Sequence, residues 1–409
     1  MIQISPVLPV RAPCECSGQY IFSEYLWQGL HICKKIICDR CNEVVIESIP
    51  VNQSGIEQYR FYPETGLVKN NENKIVTDNW YSEKLKSIGY PVNEVVEMEV
   101  KIFKRYDEVI ILNTLDYVYG HSLLFFLNLQ RIIENRKNVG IILLVQPMLK
   151  WMIPESEIAE VWTVNLGFQK LNYYYPDLSN KINKQLERFT QVYLSKGHLI
   201  PTNKNIEIEK FSGITPYNFS NEPVEPKITF IWREDPDRLW IRNYYLLKGF
   251  KWLGISKILV PFQYCRVLFF FFLLNRKLGR KCSFTVAGLG KTYKLPAFIN
   301  DHRVRSFDAE SEKRLCKIYS QSILVVGVHG SGMLLPSAHA GMAISMMPSK
   351  RWGNFAEDIL FTEQDIRLAT FQRRIVPLNL CIFDLRDIVC DMISGRDYFI
   401  KKFIHSDEL

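Results

Sequence analysis

The clearest hydrophobic pattern in the chain is a pair of short apolar runs, Ile323–Val326 and Met342–Met347. The first is rich in β-branched residues, and both are too short for a typical helix, so they predict buried strands. A glycine-rich turn around His329 and a short helix, about 333–340, are predicted between them. The order strand, glycine-rich turn, short helix, strand is typical of half of a nucleotide-binding α/β domain.

Similar alternation begins near residue 106 and predicts two Rossmann-like domains. The segment 215–226 holds three prolines in twelve residues and predicts the linker between them. We expect an α/β fold with a β-rich, cysteine-rich extension (1–105), a first Rossmann-like domain with its linker (106–226), a second (227–380) and a helical tail (381–409). The predicted strands include Glu108–Leu112, Val139–Val145, Ile158–Val164, Lys227–Trp232, Ile255–Val260, Ser283–Ala287 and Val304–Phe307.

Five of the ten cysteines lie between residues 14 and 41, close to His31. Paired thiolates on tight turns are the usual ligands of tetrahedral zinc. The pattern C-x-C followed by C-x2-C predicts a structural zinc ion held by Cys14, Cys16, Cys38 and Cys41. Cys33 or His31 would be the reserve ligand, and free cysteines packed in a β-rich lobe are the alternative.

The formal charge of +8 is mild, and the Lys and Arg residues are scattered along the sequence. This pattern does not indicate nucleic acid, and it is compatible with anionic substrates or a peripheral membrane contact. The N-terminus lacks a charged start followed by a long apolar core, and the apolar segment 258–274 is interrupted by polar residues. We therefore expect a cytoplasmic protein, either free or in peripheral contact with a membrane.

The turn after Ile323–Val326 predicts an anion-binding site. Gly330, Ser331 and Gly332 leave their backbone N–H groups uncovered just before Met333, where the next helix is predicted to start. His329 precedes them at the carboxyl end of the strand, where ligands bind in such domains. These groups could neutralise a departing nucleoside diphosphate without a catalytic metal. The alternative for His329 is a turn histidine packed under the sheet.

Further candidates for binding the donor lie in the same predicted domain. Arg233 and Arg238 flank its first strand–helix turn, and Arg suits bidentate phosphate recognition, although surface salt bridges are the alternative. Glu310 could accept a hydrogen bond from a ribose or base, or simply stabilise a helix N-terminus. Gly288 opens a Gly-Leu-Gly-Lys-Thr turn whose glycines are too close together for a P-loop, but which still fits a nucleotide cleft.

His121 opens the predicted first helix of the first Rossmann-like domain. A histidine at that position could deprotonate an acceptor hydroxyl, or it could be a capping or core histidine. Asp116 is the second candidate for the base.

The chain resembles the glycosyltransferases of the EGF-domain O-GlcNAc transferase and plant xylosyltransferase type. The resemblance rests on His329-Gly-Ser-Gly-Met-Leu-Leu335, which is similar to their HGAGLTN motif, and on Gly120-His-Ser-Leu-Leu124. It departs at Met333–Leu335, and at Phe125 and Phe126, where an acidic residue often follows the histidine. The resemblance implies a GT-B fold with two domains facing a cleft, a nucleotide-sugar donor, an inverting mechanism and no metal at the reaction centre.

The function predicted from these features is transfer of a sugar from a nucleoside-diphosphate donor to a hydroxyl acceptor, which we expect to be a glycan precursor. The alternative is a non-catalytic nucleotide-binding or zinc-dependent interaction protein on a degenerate GT-B fold.

Overall fold

The computed structural model describes residues 1–7, 13–55, 57–77, 79–136, 138–198, 206–221, 225–279, 282–355, 359–363 and 365–403. The chain forms two compact units, unit 1 (Met1–Asn203) and unit 2 (Lys204–Leu409). The fold is mixed α/β with parallel sheets, as the apolar pattern predicts.

Unit 1 contains two sheets and four helices among its described residues. Its elements are β1 (Ile2–Ser5), β2 (Tyr20–Gln28), β3 (His31–Cys38), β4 (Val44–Ser48), β5 (Tyr59–Tyr62), β6 (Leu67–Asn70), α1 (Trp80–Lys86), β7 (Met98–Ile102), β8 (Glu108–Asn113), α2 (Tyr119–Leu127), α3 (Leu129–Asn135), β9 (Gly140–Val145), β10 (Glu160–Val164), α4 (Pro176–Leu186) and β11 (Gln191–Leu194).

The main sheet of unit 1 has the order β1-β11-β8-β9-β10-β7. The four central strands are parallel, and the edge strands β1 and β7 run antiparallel to them. The central strands β8 and β9 are almost continuously apolar and fully buried, because helices and loops cover parallel sheets on both faces. A separate antiparallel meander, β2-β3-β4-β5-β6, forms the cysteine-rich region that the sequence predicts.

Unit 2 is a six-stranded sheet surrounded by helices. Its elements are α5 (Ile208–Ser212), β12 (Lys227–Arg233), α6 (Tyr244–Trp252), α7 (Val260–Leu278), β13 (Ser283–Leu289), β14 (Ile299–Val304), α8 (Ala309–Tyr319), β15 (Ser322–Val328), α9 (Leu334–His339), β16 (Met342–Met347), α10 (Ile366–Gln372), β17 (Arg373–Pro377) and α11 (Ile382–Phe403).

The sheet of unit 2 has the order β14-β13-β12-β15-β16-β17, and every neighbouring pair is parallel. Numbered along the chain, this is 3-2-1-4-5-6, the strand order of a doubly wound nucleotide-binding domain. Helices α7 and α11 pack against each other and share one hydrophobic core with the sheet. Asp308 caps α8, since its Oδ1 accepts a hydrogen bond from the Ser311 N–H at 2.8 Å.

Two predicted strands are wrong in detail. Ile255–Val260 is a 3-10 turn, Ser256–Leu259, that runs into α7, where Pro261 occupies the first turn of the helix and has no N–H to leave unpaired. The last strand before α8 lies at Ile299–Val304 rather than Val304–Phe307. Both errors arise because short apolar runs do not distinguish a strand from a buried helix or mark its limits.

The predicted linker packs on unit 2. The break between the units falls before this proline-rich segment, whose Tyr217 and Phe219 pack against the core of unit 2.

Within the described part of the chain, Ser256–Leu278 is long and apolar enough to cross a membrane by length and composition. Its buried face belongs to the core of unit 2, which is also typical of a core helix of a soluble protein.

Candidate functional sites

The sheet of unit 2 has a switch point between β12 and β15. From β12 the chain moves to β13 on one side, and β15 later joins β12 on the other side. Connections that diverge in this way leave a crevice at the carboxyl ends of the two strands, which is where ligands bind in open α/β sheets. Arg233 ends β12 there, and His329 follows the end of β15.

Both predicted arginines lie against the glycine-rich turn. The Arg238 guanidinium donates a hydrogen bond to the His329 carbonyl, and a Cβ built on Gly330 would overlap that guanidinium. A Cβ on Gly332 would lie 3.2 Å from Arg233 Nη1. Gly330 also has a φ of +142°, which favours glycine. The turn therefore has one arginine beside each of its two glycines.

Arg233 also forms an ion pair with Asp235, at 2.7 Å. This is one of the salt bridges that the sequence left as an alternative to phosphate binding. The pair leaves the Arg233 side chain only partly buried, so the guanidinium remains accessible to solvent. The structure therefore allows Arg233 to pair with Asp235 and also to contact a phosphate.

The imidazole of His329 is fully buried, and this burial lowers its pKa to about 4. The ring is therefore neutral at pH 7. Its Nε2 lies 3.3 Å from the Asn354 carbonyl, an acceptor, so Nε2 carries the ring proton. The positive charge at this turn is supplied by Arg233 and Arg238 rather than by the histidine.

The helix after the turn is shorter than the sequence predicts. Ser331–Met333 form a 3-10 turn, and α9 has only six residues. A helix of that length contributes little dipole to an anion, so the arginines are the main electrostatic feature. Met333 is fully buried, and its sulfur lies 2.6 Å from where a Cβ on Gly327 would be, which shows how closely the turn packs on the strand.

Gly288 and Glu310 lie at the same edge of the sheet. Gly288 has a φ of +123°, and a Cβ there would overlap the Trp232 carbonyl on the adjacent strand. The N–H and hydroxyl of Thr292, in the turn after β13, both donate to the Glu234 carboxylate. That turn thus holds a protein carboxylate, unlike a P-loop. Glu310 is exposed in the first turn of α8, and its contact with a nucleotide stays a prediction.

A cavity of about 700 Å³ lies between the loop after β12, the segment after β16 and the end of β17, and the sequence did not predict it. The 3-10 turn Ser349–Asn354 lines it and ends at Asn354, the residue whose carbonyl contacts the His329 ring. The lining includes Arg242, Lys350, Arg351 and Trp352. Its volume falls in the range of small-molecule sites, and its basic and aromatic walls suit a nucleotide.

Unit 1 has a switch point of its own, between β8 and β11. The chain continues from β8 to β9 on one side, and β11 later pairs with β8 on the other. Asn52 bridges the two carboxyl ends, because its N–H donates to the Lys196 carbonyl and its Nδ2 donates to the Asn113 carbonyl. Asp116 follows β8, and His121 lies in the first turn of α2.

The structure brings the two candidate bases together. His121 Nδ1 lies 3.2 Å from Asp116 Oδ2. The Asp116 side chain is fully buried, whereas the His121 side chain is 21% exposed. Asp116 Oδ1 also accepts a hydrogen bond from the Val118 N–H at 2.8 Å, which fixes the carboxylate. A carboxylate in this position favours a proton on Nδ1, so Nε2 is the nitrogen that can accept a proton.

Two neighbours of His121, Gln53 and Trp80, are not indicated by the sequence. Gln53 Nε2 lies 3.3 Å from His121 Nδ1. The ring of Trp80, which is half exposed, lies 6.4 Å from that of His121 and 5.9 Å from that of Tyr117. Gln53 and Trp80 precede His121 by about 70 and 40 residues, and no local pattern in the sequence connects them.

The four cysteines of the predicted metal site converge in unit 1. Their Sγ atoms all lie within 4.8 Å of one another, with Cys14–Cys41 at 3.5 Å and Cys16–Cys38 at 3.4 Å. Tetrahedral zinc with Zn–S bonds of about 2.3 Å places its sulfurs about 3.8 Å apart. The group can therefore hold a metal ion. Backbone N–H groups of Cys41 and Arg40 lower the pKa of Cys38 to about 6, which favours its thiolate, whereas the neighbouring thiols of Cys38 and Cys16 raise the pKa of Cys41.

The reserve ligands lie elsewhere. Cys33 is buried in the core formed between the meander and α1, and His31 Nε2 contacts the Tyr81 carbonyl at 3.0 Å. Gly18 packs on the cysteine cluster so closely that a Cβ would lie 2.6 Å from Cys38 Sγ. The contacts of Cys33 and His31 therefore lie outside the cluster of four cysteines.

No known protein-family model matches the sequence, and no curated protein matches it. Among solved structures, the chain is similar to ADP-heptose LPS heptosyltransferase II of E. coli, with a TM-score of 0.38 and 9% sequence identity. The match covers 71% of this chain and 99% of that chain. A similarity this low carries no argument about function. The specific resemblance to the EGF-domain O-GlcNAc transferase type stays a prediction.

Proposed function

We propose that the protein is an inverting glycosyltransferase that moves a sugar from a nucleoside-diphosphate donor to a hydroxyl of a glycan precursor. The observation that carries the proposal is the switch point of unit 2. There, an all-parallel sheet of order 3-2-1-4-5-6 places Arg233 and Arg238 against the glycine-rich turn after β15. Two guanidinium groups and the partly exposed backbone of Ser331 and Gly332 suit a diphosphate.

Unit 2 would bind the donor in this proposal. The diphosphate lies at Arg233 and at residues 330–332, and the nucleoside occupies the cavity lined by Arg351 and Trp352. His329 is neutral and holds the turn in place through Asn354. Since the arginines supply the positive charge that the leaving diphosphate needs, the step does not depend on a divalent cation.

Unit 1 would supply the base. The acceptor hydroxyl gives its proton to His121 Nε2 while its oxygen attacks the anomeric carbon from the side opposite the diphosphate. The bond from that carbon to the phosphate oxygen breaks, and the diphosphate leaves with the electron pair, so the configuration inverts. Asp116 is buried, and we assign it to holding the imidazole and stabilising its charged form. Trp80 offers a ring face beside the base for the acceptor.

We propose further that Cys14, Cys16, Cys38 and Cys41 hold a structural zinc ion, which would fix the turns at the end of the meander. The purified protein should then contain one zinc per chain. Cys38→Ser should lose this zinc, whereas Cys265→Ser, at an exposed cysteine in unit 2, should keep it. Metal-replete protein without zinc would overturn this assignment.

The transferase proposal is tested by incubating the protein with a panel of nucleoside-diphosphate sugars and measuring release of the nucleoside diphosphate, with and without EDTA. The expected result is release from one member of the panel that EDTA does not abolish. Release that requires an added divalent cation would contradict the metal-independent step. A ligand that stabilises the protein but is never turned over would support the non-catalytic alternative.

A further inference from the structure

The stretch from Arg238 to Asn300, which begins after β12 and includes β13, has an unusual charge distribution. No Asp or Glu occurs between Asp237 and Asp301, whereas twelve of the 51 Lys and Arg residues lie there. The mild overall charge of the chain hides this local excess. The segment contains α6, α7 and the loop between them, so these two helices carry the most one-sided charge of unit 2.

The outer face of α6 carries large aromatic side chains. Tyr245 is 83% exposed and Trp252 is 85% exposed. They are seven residues apart, with Lys248 between them, so all three lie on one face of the helix. The loop that follows adds Leu253 and Ile255, which are also exposed.

Helix α7 continues the exposed apolar surface. Ile258 and Phe262 are more than half exposed, and Phe269 and Phe272 are nearly half exposed. Their spacing of four, seven and three residues places them along one stripe of a helix. The rings of Phe269 and Phe272 are stacked, with centroids 6.5 Å apart. The opposite side of α7 is apolar too, but it is buried in the core of unit 2.

Basic residues border this stripe. Lys248 and Lys257 are exposed beside Trp252 and Ile258. The nearest acidic residues on neighbouring elements are engaged in ion pairs, Asp237 with Lys251 at 2.7 Å and Asp387 with Lys277 at 2.6 Å. Asp384 lies at the edge of the stripe, next to Phe383, whose ring contacts that of Phe269.

We propose that the α6–α7 surface, made of the outer faces of these two helices and their loop, docks on an anionic membrane. Trp and Tyr rings favour the headgroup region, the phenylalanines reach the acyl boundary, and lysines attract anionic headgroups. Helix α7 lies on the membrane rather than crossing it, because its inner residues Val267, Phe270 and Phe271 complete the core over the sheet.

Charge favours an anionic membrane over a second copy of the chain as the partner of the α6–α7 surface. Two copies meeting through the α6–α7 surface would bring lysines against lysines, and the segment between Asp237 and Asp301 contains no acid to pair with them. An anionic bilayer supplies the opposite charge. The proposal does not depend on the transferase activity.

The test is co-sedimentation of the full chain with phosphatidylcholine vesicles, with and without phosphatidylglycerol. We expect binding only to the anionic vesicles, and weaker binding at high salt. The double variant Trp252→Ser/Phe262→Ser should bind at least about tenfold more weakly, because it removes two inserting rings. Lys248→Glu/Lys257→Glu should lose about tenfold or more. Neither variant touches the core, and circular dichroism checks that each is folded.

Matched controls are exposed residues outside the α6–α7 surface. Tyr90→Ser/Tyr173→Ser removes two exposed aromatics of unit 1, and Lys184→Glu/Lys313→Glu makes the same change in charge; both should bind like the unaltered protein. Absence of vesicle binding, or equal binding by all four variants, would overturn the proposal. It would also be overturned if the unaltered protein formed an oligomer that ignored vesicles and that Trp252→Ser/Phe262→Ser converted to monomer.

Discussion

The two units have switch points of similar topology, but the charged groups there are arginines in unit 2 and a carboxylate in unit 1. In unit 2, the ends of β12 and β15 bring two arginines to a glycine-rich turn, with a histidine that burial keeps neutral. In unit 1, the end of β8 brings a buried carboxylate to a partly exposed histidine. A histidine therefore has different chemistry in each unit, because burial keeps His329 neutral whereas a buried carboxylate lies against the His121 ring.

The largest effect is expected from breaking the unit 1 pair. His121→Ala should lower turnover by about 10²- to 10⁴-fold while leaving the affinity for the donor unchanged, because general-base catalysis contributes that much. Asp116→Asn should also lower turnover, since the amide no longer favours a proton on Nδ1. Steady-state kinetics with donor titration measures both effects. His302→Ala, at an exposed edge-strand residue, is the control. Full activity of His121→Ala would rule out its role as base.

A smaller effect is expected on donor affinity, which should respond differently to substitution of the two glycines of the unit 2 turn. In Gly330→Ala, the new Cβ would overlap the Arg238 guanidinium, and the φ of +142° would cost a non-glycine residue about 1–3 kcal/mol of folding stability. Gly332→Ala would place its Cβ at 3.2 Å from a flexible Arg233 end, which can move. Donor affinity should fall by about tenfold or more for Gly330→Ala, because displacing the Arg238 guanidinium weakens a charged contact to the diphosphate, and such a contact contributes about 1.5–3 kcal/mol. Gly332→Ala should lose less, and the reverse order would contradict the arrangement described.

The smallest expected effect is a change of folding stability with pH. Burial lowers the pKa of His339 to about 4, and its ring contacts the Leu335 carbonyl and Ser212 Oγ. Between pH 6.5 and 4 the unfolded chain binds a proton that the folded one does not, so this residue makes stability fall as the pH falls. At pH 5 this loss approaches about 2 kcal/mol.

The pH effect is measured as a difference between two proteins. Chemical denaturation of the unaltered protein and of His339→Gln, at pH 7.5 and pH 5, should show that the stability gap between them narrows on acidification. A gap of the same size at both pH values would show that His339 is protonated equally in the folded and unfolded states.

The sequence predicted the parts that depend on local pattern. The strands β15 and β16, the turn between them and the cluster of four cysteines follow from short-range spacing, and the structure has them in place. The sequence also suggested Arg233 and Arg238 from their position after a strand.

The rest depends on contacts that span long stretches of chain. Gln53 and Trp80 reach His121 through the tertiary fold. The cavity of unit 2 combines the loop after β12 with the segment after β16. The neutrality of His329 follows from its burial, which a glycine-rich turn does not suggest. The apolar run Ile255–Val260 leads into a helix rather than forming a strand, because its short apolar pattern fits both a strand and a buried helix.

Whether unit 2 binds the donor diphosphate at Arg233 is tested most directly by binding nucleoside diphosphates to the unaltered protein, Arg233→Ala and His121→Ala, with thermal stabilisation as the measurement. One nucleoside diphosphate should stabilise the unaltered protein and His121→Ala equally. Its affinity for Arg233→Ala should fall by about 10- to 100-fold, since a hydrogen bond to a charged group contributes about 1.5–3 kcal/mol. Arg314→Ala, on the exposed face of α8, should bind normally. Stabilisation that is lost in His121→Ala but kept in Arg233→Ala would contradict the account.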